Sequence, residues 1–252
     1  MTQRLPTATV ELQRWRDQGL TLPVWWRDDD ATKPTPELER LLQIASSFEA
    51  PLHLAVIPEP ATSELADRLQ AAPNVLVLTH GWRHKNHAPS DRKKAEFGAD
   101  RPFPAMLEEI DLGRNRLSGL FGSQSLPVFT PPWNRIAPDL LECLASAGFR
   151  AVSTFTPRTT RYAAKGLLSV NTHLDPIAWK SAGGLLDPEL LDAQLARELE
   201  ARRLGLADNA EPYGLLTHHL VHGEPVWAFT VALLDLLAKS GVATWASPLH
   251  EL

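Results

Sequence analysis

The feature that most limits what this chain can fold into is a repeated alternation of short, continuously apolar runs with stretches that carry helical spacing and helix punctuation. The runs are Leu22 to Trp26, Leu52 to Ile57, Val75 to Leu78, Pro127 to Thr130, Ala151 to Thr154, Leu167 to Val170, Tyr213 to Thr217 and Val242 to Trp245. None alternates strictly between apolar and polar, so both faces of each strand are expected to be covered, as in parallel sheets with helical crossovers. Helices are expected over Pro36 to Phe48, Thr62 to Gln70, Pro104 to Leu120, Pro138 to Ala147, Pro188 to Leu204 and Pro225 to Lys239. Thr35 before Pro36 and Asp187 before Pro188 pair an N-cap with a proline at the first helical position. Gly148 closes the fourth of these helices, and Gly241, or Ser240 before it, closes the last. In a chain of 252 residues, seven or eight such units favour one α/β domain spanning 1–252, folded as a distorted parallel (β/α) barrel of about seven strands. Closure is the economical solution because it removes sheet edges. No internal repeat or low-complexity linker marks a boundary.

Composition excludes several classes of partner. The formal charge is -5, and the basic residues are scattered through helices rather than gathered in a stripe, so nucleic acid is not an expected partner. No apolar stretch is long enough to cross a bilayer, and the first residues lack the basic start and apolar run of a secretion signal. A cytoplasmic protein away from the membrane is the expectation. The single cysteine, Cys143, has no internal partner for a disulfide and is read as part of a helix.

The polar residues that matter follow the apolar runs. Asp28, Asp29 and Asp30 follow the first, His80 and His84 the third, Pro131 to Arg135 the fourth, Asp175 to Trp179 the sixth, and His218 and His219 the seventh. In a parallel barrel those positions converge over one mouth, where functional groups collect. Three adjacent carboxylates at the edge of a buried strand are costly to desolvate unless a cation or hydrogen-bond donors compensate. The i,i+4 spacing of His80 and His84 places both imidazoles on one face if the segment forms a helical turn. Two imidazoles, one carboxylate and water make a catalytic divalent-metal site, best suited to zinc. Glu96 is read either as an anchor for the histidine loop or as an exposed glutamate. His87 is read as a solvated loop residue, His53 as a hydrogen-bonded core residue, and His222 and His250 as surface residues. Trp25 and Trp26 are read as core.

These motifs resemble the polysaccharide deacetylase family over roughly Val24 to Trp245. The acidic triplet is similar to the family's paired aspartates, which implies a general base at Asp29 and a metal ligand at Asp30; a shift by one, to Asp28 and Asp29, stays open. His80 and His84 match its paired histidines, which implies that they complete the metal site. Pro131-Pro132-Trp133-Asn134-Arg135 matches the prolines and aromatic of a third motif but lacks its arginine. Either Arg135 or Arg27 supplies positive charge near the base, or the site does without it. Asp175 with Trp179, and His218 after a leucine-rich strand, resemble the remaining motifs. The resemblance implies His218 as general acid with Asp175 as its charged partner. It also implies Trp133 and Trp179 as walls of an acyl pocket, with Asn134 and Arg135 beside the substrate. The implied reaction is metal-dependent removal of an acyl group, acetyl above all, from an N- or O-acylated sugar or a related small molecule. The alternative is a barrel that binds metal and carbohydrate without turnover.

Overall fold

The computed structural model describes residues 4–180 and 184–252. The strands are β1 (Leu22–Ala31), β2 (Leu52–Val56), β3 (Val75–His80), β4 (Ser125–Thr130), β5 (Ala151–Val152), β6 (Tyr162–Ala164), β7 (Leu167–Ser169), β8 (Ile177–Ala178), β9 (Gly184–Leu185), β10 (Tyr213–Thr217) and β11 (Ala243–Trp245). The helices are α1 (Pro6–Asp17), α2 (Pro36–Ser47), α3 (Ser63–Gln70), α4 (Phe103–Phe121), α5 (Pro138–Ser146), α6 (Pro188–Arg203) and α7 (Glu224–Ser240). The main sheet runs β10-β1-β2-β3-β4-β5-β7-β6, and β11 also pairs with β1. Every pairing in it is parallel except β6 with β7.

The sheet curls until the chain that follows β7 meets β10. Beyond β7 the chain continues in strand-like pairing, with Thr172 beside Phe155 and Leu174 beside Leu215 of β10. His173 N–H donates to the Gly214 carbonyl at 2.7 Å, and Leu216 N–H to the Leu174 carbonyl at 2.9 Å. The result is the expected distorted barrel, closed by an irregular seam between β7 and β10. Gly214 sits at this seam because a Cβ there would lie 2.5 Å from the Trp25 indole nitrogen and 2.7 Å from the Asn171 carbonyl oxygen.

Alternation along each strand sorts side chains between the barrel interior and the helical shell. Trp25, Ala55, Leu78, Val128, Ala151, Leu168 and Val170 fill the interior. The opposite faces of β1 to β3 pack with α2, α3 and α7 in the largest apolar cluster, while α4 and α5 cover β4 and β5 in a second. The caps expected from sequence are present: Thr35 accepts from Leu38 N–H, and Asp187 from Glu189 N–H. Each is worth about 1 kcal/mol. Trp25 and Trp26 are both buried, as expected.

One helix was not expected. α1 has no local cap; its first amides, Thr7 and Ala8 N–H, are both bonded at 2.9 Å by the Asp192 carboxylate of α6. Its Trp15 is fully buried, with the indole N–H on the Leu199 carbonyl. No described helix is long and apolar enough to cross a membrane.

Candidate metal centre and active site

The three aspartates at the end of β1 point in three directions. Arg27 and Asp29 follow Trp25 into the barrel, and Asp28 follows Trp26 toward the helical shell. There Asp28 is buried and accepts from Thr217 Oγ1 at 2.6 Å, from His219 N–H at 3.0 Å, and from the His219 ring at Nδ1. Both its oxygens are occupied, so the pair left to face the mouth is Asp29 and Asp30, rather than Asp28 and Asp29. Asp30 would be expected to point outward like Asp28, but it has φ 77° and sits where the β1–β2 register shifts between Asp29 and Ala31. This bulge re-aims its side chain.

The Asp30 carboxylate lies 3.1 Å from His80 Nε2 and 3.3 Å from His84 Nε2. One ligand atom from each of these residues lies within 4.8 Å of the others. Burial pushes the Asp30 carboxyl up, but the His80 hydrogen bond and the charges of His80, His218 and His84 outweigh it and hold the group well below the usual carboxylate range. His80 Nδ1 faces the Thr130 carbonyl oxygen at 3.0 Å. A carbonyl only accepts, so Nδ1 carries a proton, and Nε2 is the nitrogen that the ring turns toward Asp30. Two imidazoles and a carboxylate aimed at one point, with one ring fixed from behind, fit a divalent cation. Burial, followed by the charge of His80, lowers the His84 pKa, which favours the neutral, ligating form.

The expected helical turn between the histidines is absent. His80 ends β3, and His84 is presented by a loop in which Gly81 has φ 60° and His84 φ 55°. Glu96 replaces helix geometry as the organiser: buried, it accepts from Trp82 N–H at 3.1 Å, Arg83 N–H at 2.8 Å and Lys85 N–H at 3.3 Å. A Cβ on Gly81 would fall 2.2 Å from a Glu96 oxygen, so the close approach requires glycine. His87 is half-buried on the same loop and outside the metal cluster.

Arg27, not Arg135, meets the proposed base. The fully buried guanidinium of Arg27 grips Asp29 with Nε at 2.9 Å and Nη2 at 3.0 Å, and donates from Nη2 to Asn134 Oδ1 at 2.7 Å and from Nη1 to Ser153 Oγ at 2.7 Å. Arg135 instead turns to the Lys94 carbonyl at 2.8 Å, away from Asp29. Asn134, expected beside the substrate, has its side-chain oxygen committed to Arg27. Trp133 and Asn134 both have φ 56°. That conformation costs Trp133 roughly 1–2 kcal/mol, and it lays the indole against His84, ring centres 4.3 Å apart.

His218 follows β10 into the mouth, with Nε2 3.9 Å from Asp29 Oδ2. Trp179 stands edge-on to it at 4.7 Å, half exposed, and its indole N–H donates to Asp175 Oδ2 at 2.8 Å. The other Asp175 oxygen accepts from Ile177 N–H at 2.9 Å. Asp175 therefore meets His218 through charge rather than a hydrogen bond, and burial raises its pKa.

Of the remaining histidines, His53 is a core residue bonded to the Trp26 carbonyl at 3.1 Å. His173 belongs to the barrel seam, with Nδ1 accepting from Gly214 N–H and Nε2 on Glu211. His250 is exposed. His222 departs from the surface reading: it is half-buried against Trp227, and its Nε2 accepts from His218 N–H at 3.2 Å.

The class of molecule defined so far is a closed parallel α/β barrel with a two-imidazole, one-carboxylate centre at the carboxyl ends of its strands. Comparison with solved structures gives that class a particular form. A structure from Mycobacterium smegmatis bearing the polysaccharide deacetylase name matches 88% of this chain and 84% of its own at TM-score 0.60 and 18% identity. A family 4 carbohydrate esterase from Streptomyces lividans, solved with acetate, matches 90% of this chain and 94% of its own at TM-score 0.55 and 16% identity. A family 4 acetyl xylan esterase from Clostridium thermocellum, solved with a cobalt ion, matches 88% and 86% at TM-score 0.50 and 15% identity. No protein-family model matches the chain, and no curated protein does. The fold is the polysaccharide deacetylase fold, carried by a divergent sequence.

Proposed function

We propose that this protein is a metal-dependent hydrolase that removes an acyl group, acetyl above all, from an N- or O-acylated sugar or related small molecule. The observation that carries this reading is that candidate metal ligands, base and acid meet at one mouth: Asp30 is within 3.3 Å of both His80 and His84, and Asp29 is 3.9 Å from His218. A barrel that only binds has no need of both proton-transfer groups.

Asp30, His80 and His84 would hold the ion. A divalent cation there supplies Lewis acidity, polarising an acyl carbonyl and making water easier to deprotonate. Asp29, held by Arg27, takes the proton from the attacking water. Within the Pro131–Asn134 turn, Asn134 N–H and Arg135 N–H bond back to the Pro131 and Pro132 carbonyls, which leaves the Trp133 N–H to donate to the oxyanion. His218 donates a proton to the departing nitrogen or oxygen, with Asp175 as the carboxylate on the far side of Trp179. Trp133, against His84, and Trp179, against His218, flank the acyl position. Zinc is the ion best suited to the donors.

The test is metal analysis of purified protein together with acetate release from a panel of N- and O-acetylated sugars. Stoichiometric metal with release from at least one substrate is the expected result. Metal-loaded protein that is inert across the panel would favour the reading as a binding barrel.

A further inference from the structure

Between the metal centre and the proposed base runs a continuous chain of side-chain contacts that neither group requires by itself. His84 packs against the Trp133 ring. Trp133 and Asn134 form one left-handed turn, φ 56° at both. Asn134 Oδ1 accepts from Arg27 Nη2 at 2.7 Å, and the same guanidinium holds Asp29 through Nε and Nη2. Arg27 is fully buried and braced from the far side by Ser153 Oγ and the Thr154 carbonyl, so it has little freedom to follow the turn; the turn must follow it.

We propose that Asn134 is a positioning residue that couples Asp29 to His84. Asparagine suits both tasks. It enters the left-handed region more readily than other residues with a Cβ, and its amide oxygen presents a neutral acceptor to a guanidinium whose Nη1 already donates to Ser153 Oγ and the Thr154 carbonyl. Trp133 lacks the first property, so its left-handed backbone depends on neighbours that hold it: Asn134 through Arg27, and Arg135 through the Lys94 carbonyl. With the bridge cut, the indole is free to leave His84, and Arg27 loses one of the contacts that fix the direction in which it holds Asp29. The Trp133 N–H, assigned above to the oxyanion, moves with the same turn. This inference rests on the proposed hydrolase reading for its catalytic arm only.

Asn134→Gly removes the bridge while keeping a residue at ease with positive φ, and Asn134→Asp keeps an acceptor oxygen in the same place. Two readouts are taken on each: kcat and KM on the best acetylated substrate, and zinc affinity by competition with a chromophoric chelator. Asn134→Gly is expected to lower kcat roughly 10- to 100-fold with KM within about threefold of wild type, and to weaken zinc binding several-fold through His84. Asn134→Asp is expected to recover most of both losses. Trp133→Gly, which cuts the other end of the chain, is expected to weaken zinc to a similar degree. Unchanged kcat and zinc affinity in Asn134→Gly, or an Asn134→Asp no better than Asn134→Gly, would overturn the coupling. If wild type hydrolyses nothing on the panel, the functional reading fails by itself, and the zinc arm alone decides this one: equal zinc affinity in all four proteins overturns it.

Discussion

Asp28 and His219 form a fully enclosed carboxylate–imidazole pair directly behind the mouth, with Thr217 Oγ1 and the His219 amide completing the carboxylate's hydrogen bonds. Burial opposes charge on both, but their mutual attraction wins: the Asp28 pKa falls below its ordinary 3.8 and the His219 pKa rises above its ordinary 6.5. The lowered Asp28 contributes stability that is present above about pH 3.8 and lost as the pH falls. The raised His219 contributes stability that is present below about 6.5 and lost as the pH climbs through its folded value.

The pair is therefore most stabilising between about pH 4 and 6.5. His219→Leu leaves the Asp28 charge buried without its counter-ion and is expected to cost roughly 3 kcal/mol in that window. Urea unfolding across the pH range checks this, and a variant whose loss is the same at pH 9 as at pH 5.5 would refute the charged pair.

His53 behaves in the opposite sense. Its burial inside the barrel pushes its pKa down to about 4 despite the Trp26 carbonyl bond. A histidine held neutral stabilises above its unfolded pKa near 6.5 and loses that contribution as the pH falls toward 4. Acidification over this interval is expected to cost on the order of 3 kcal/mol from this residue. His53→Gln should flatten the slope of stability against pH there, and an unchanged slope would show that His53 is not responsible.

The ligand and base assignments separate cleanly by substitution. His80→Ala is expected to lose both metal and acetate release, whereas Asp29→Asn keeps metal and loses release by at least about 100-fold. Metal retained by His80→Ala would break the ligand set, and an active Asp29→Asn would break the base.

Glu96 touches no candidate ligand side chain, yet it ties down the backbone that presents His84. Glu96→Ala strands three amides and is expected to weaken zinc binding by roughly 10- to 100-fold. Equal affinity in chelator competition would show that the loop holds its shape without it.

The strand–helix alternation was legible in the chain because covered parallel strands and capped crossover helices leave strong local marks. The ends that carry Asp30, His80 and His218 followed from that alone. What the chain hid were features set by distant partners. α1 was missed because its cap is Asp192 rather than a neighbour. The antiparallel pair β8 and β9 has too few residues to show a period. The division of labour among Asp28, Asp29 and Asp30 depends on one bulge, which no spacing rule reveals. The i,i+4 histidines suggested a helix because spacing does not record that a buried glutamate can bend a loop to the same end. Arg27 and Arg135 differ in role because one lies on the interior face of β1 and the other turns to the Lys94 carbonyl, a distinction that spacing does not carry.

α1 is tied into the molecule from a distance. The two amides that open it are met by one carboxylate 185 and 184 positions later, so its cap is a tertiary contact, and a change that displaces α6 uncaps α1 as well.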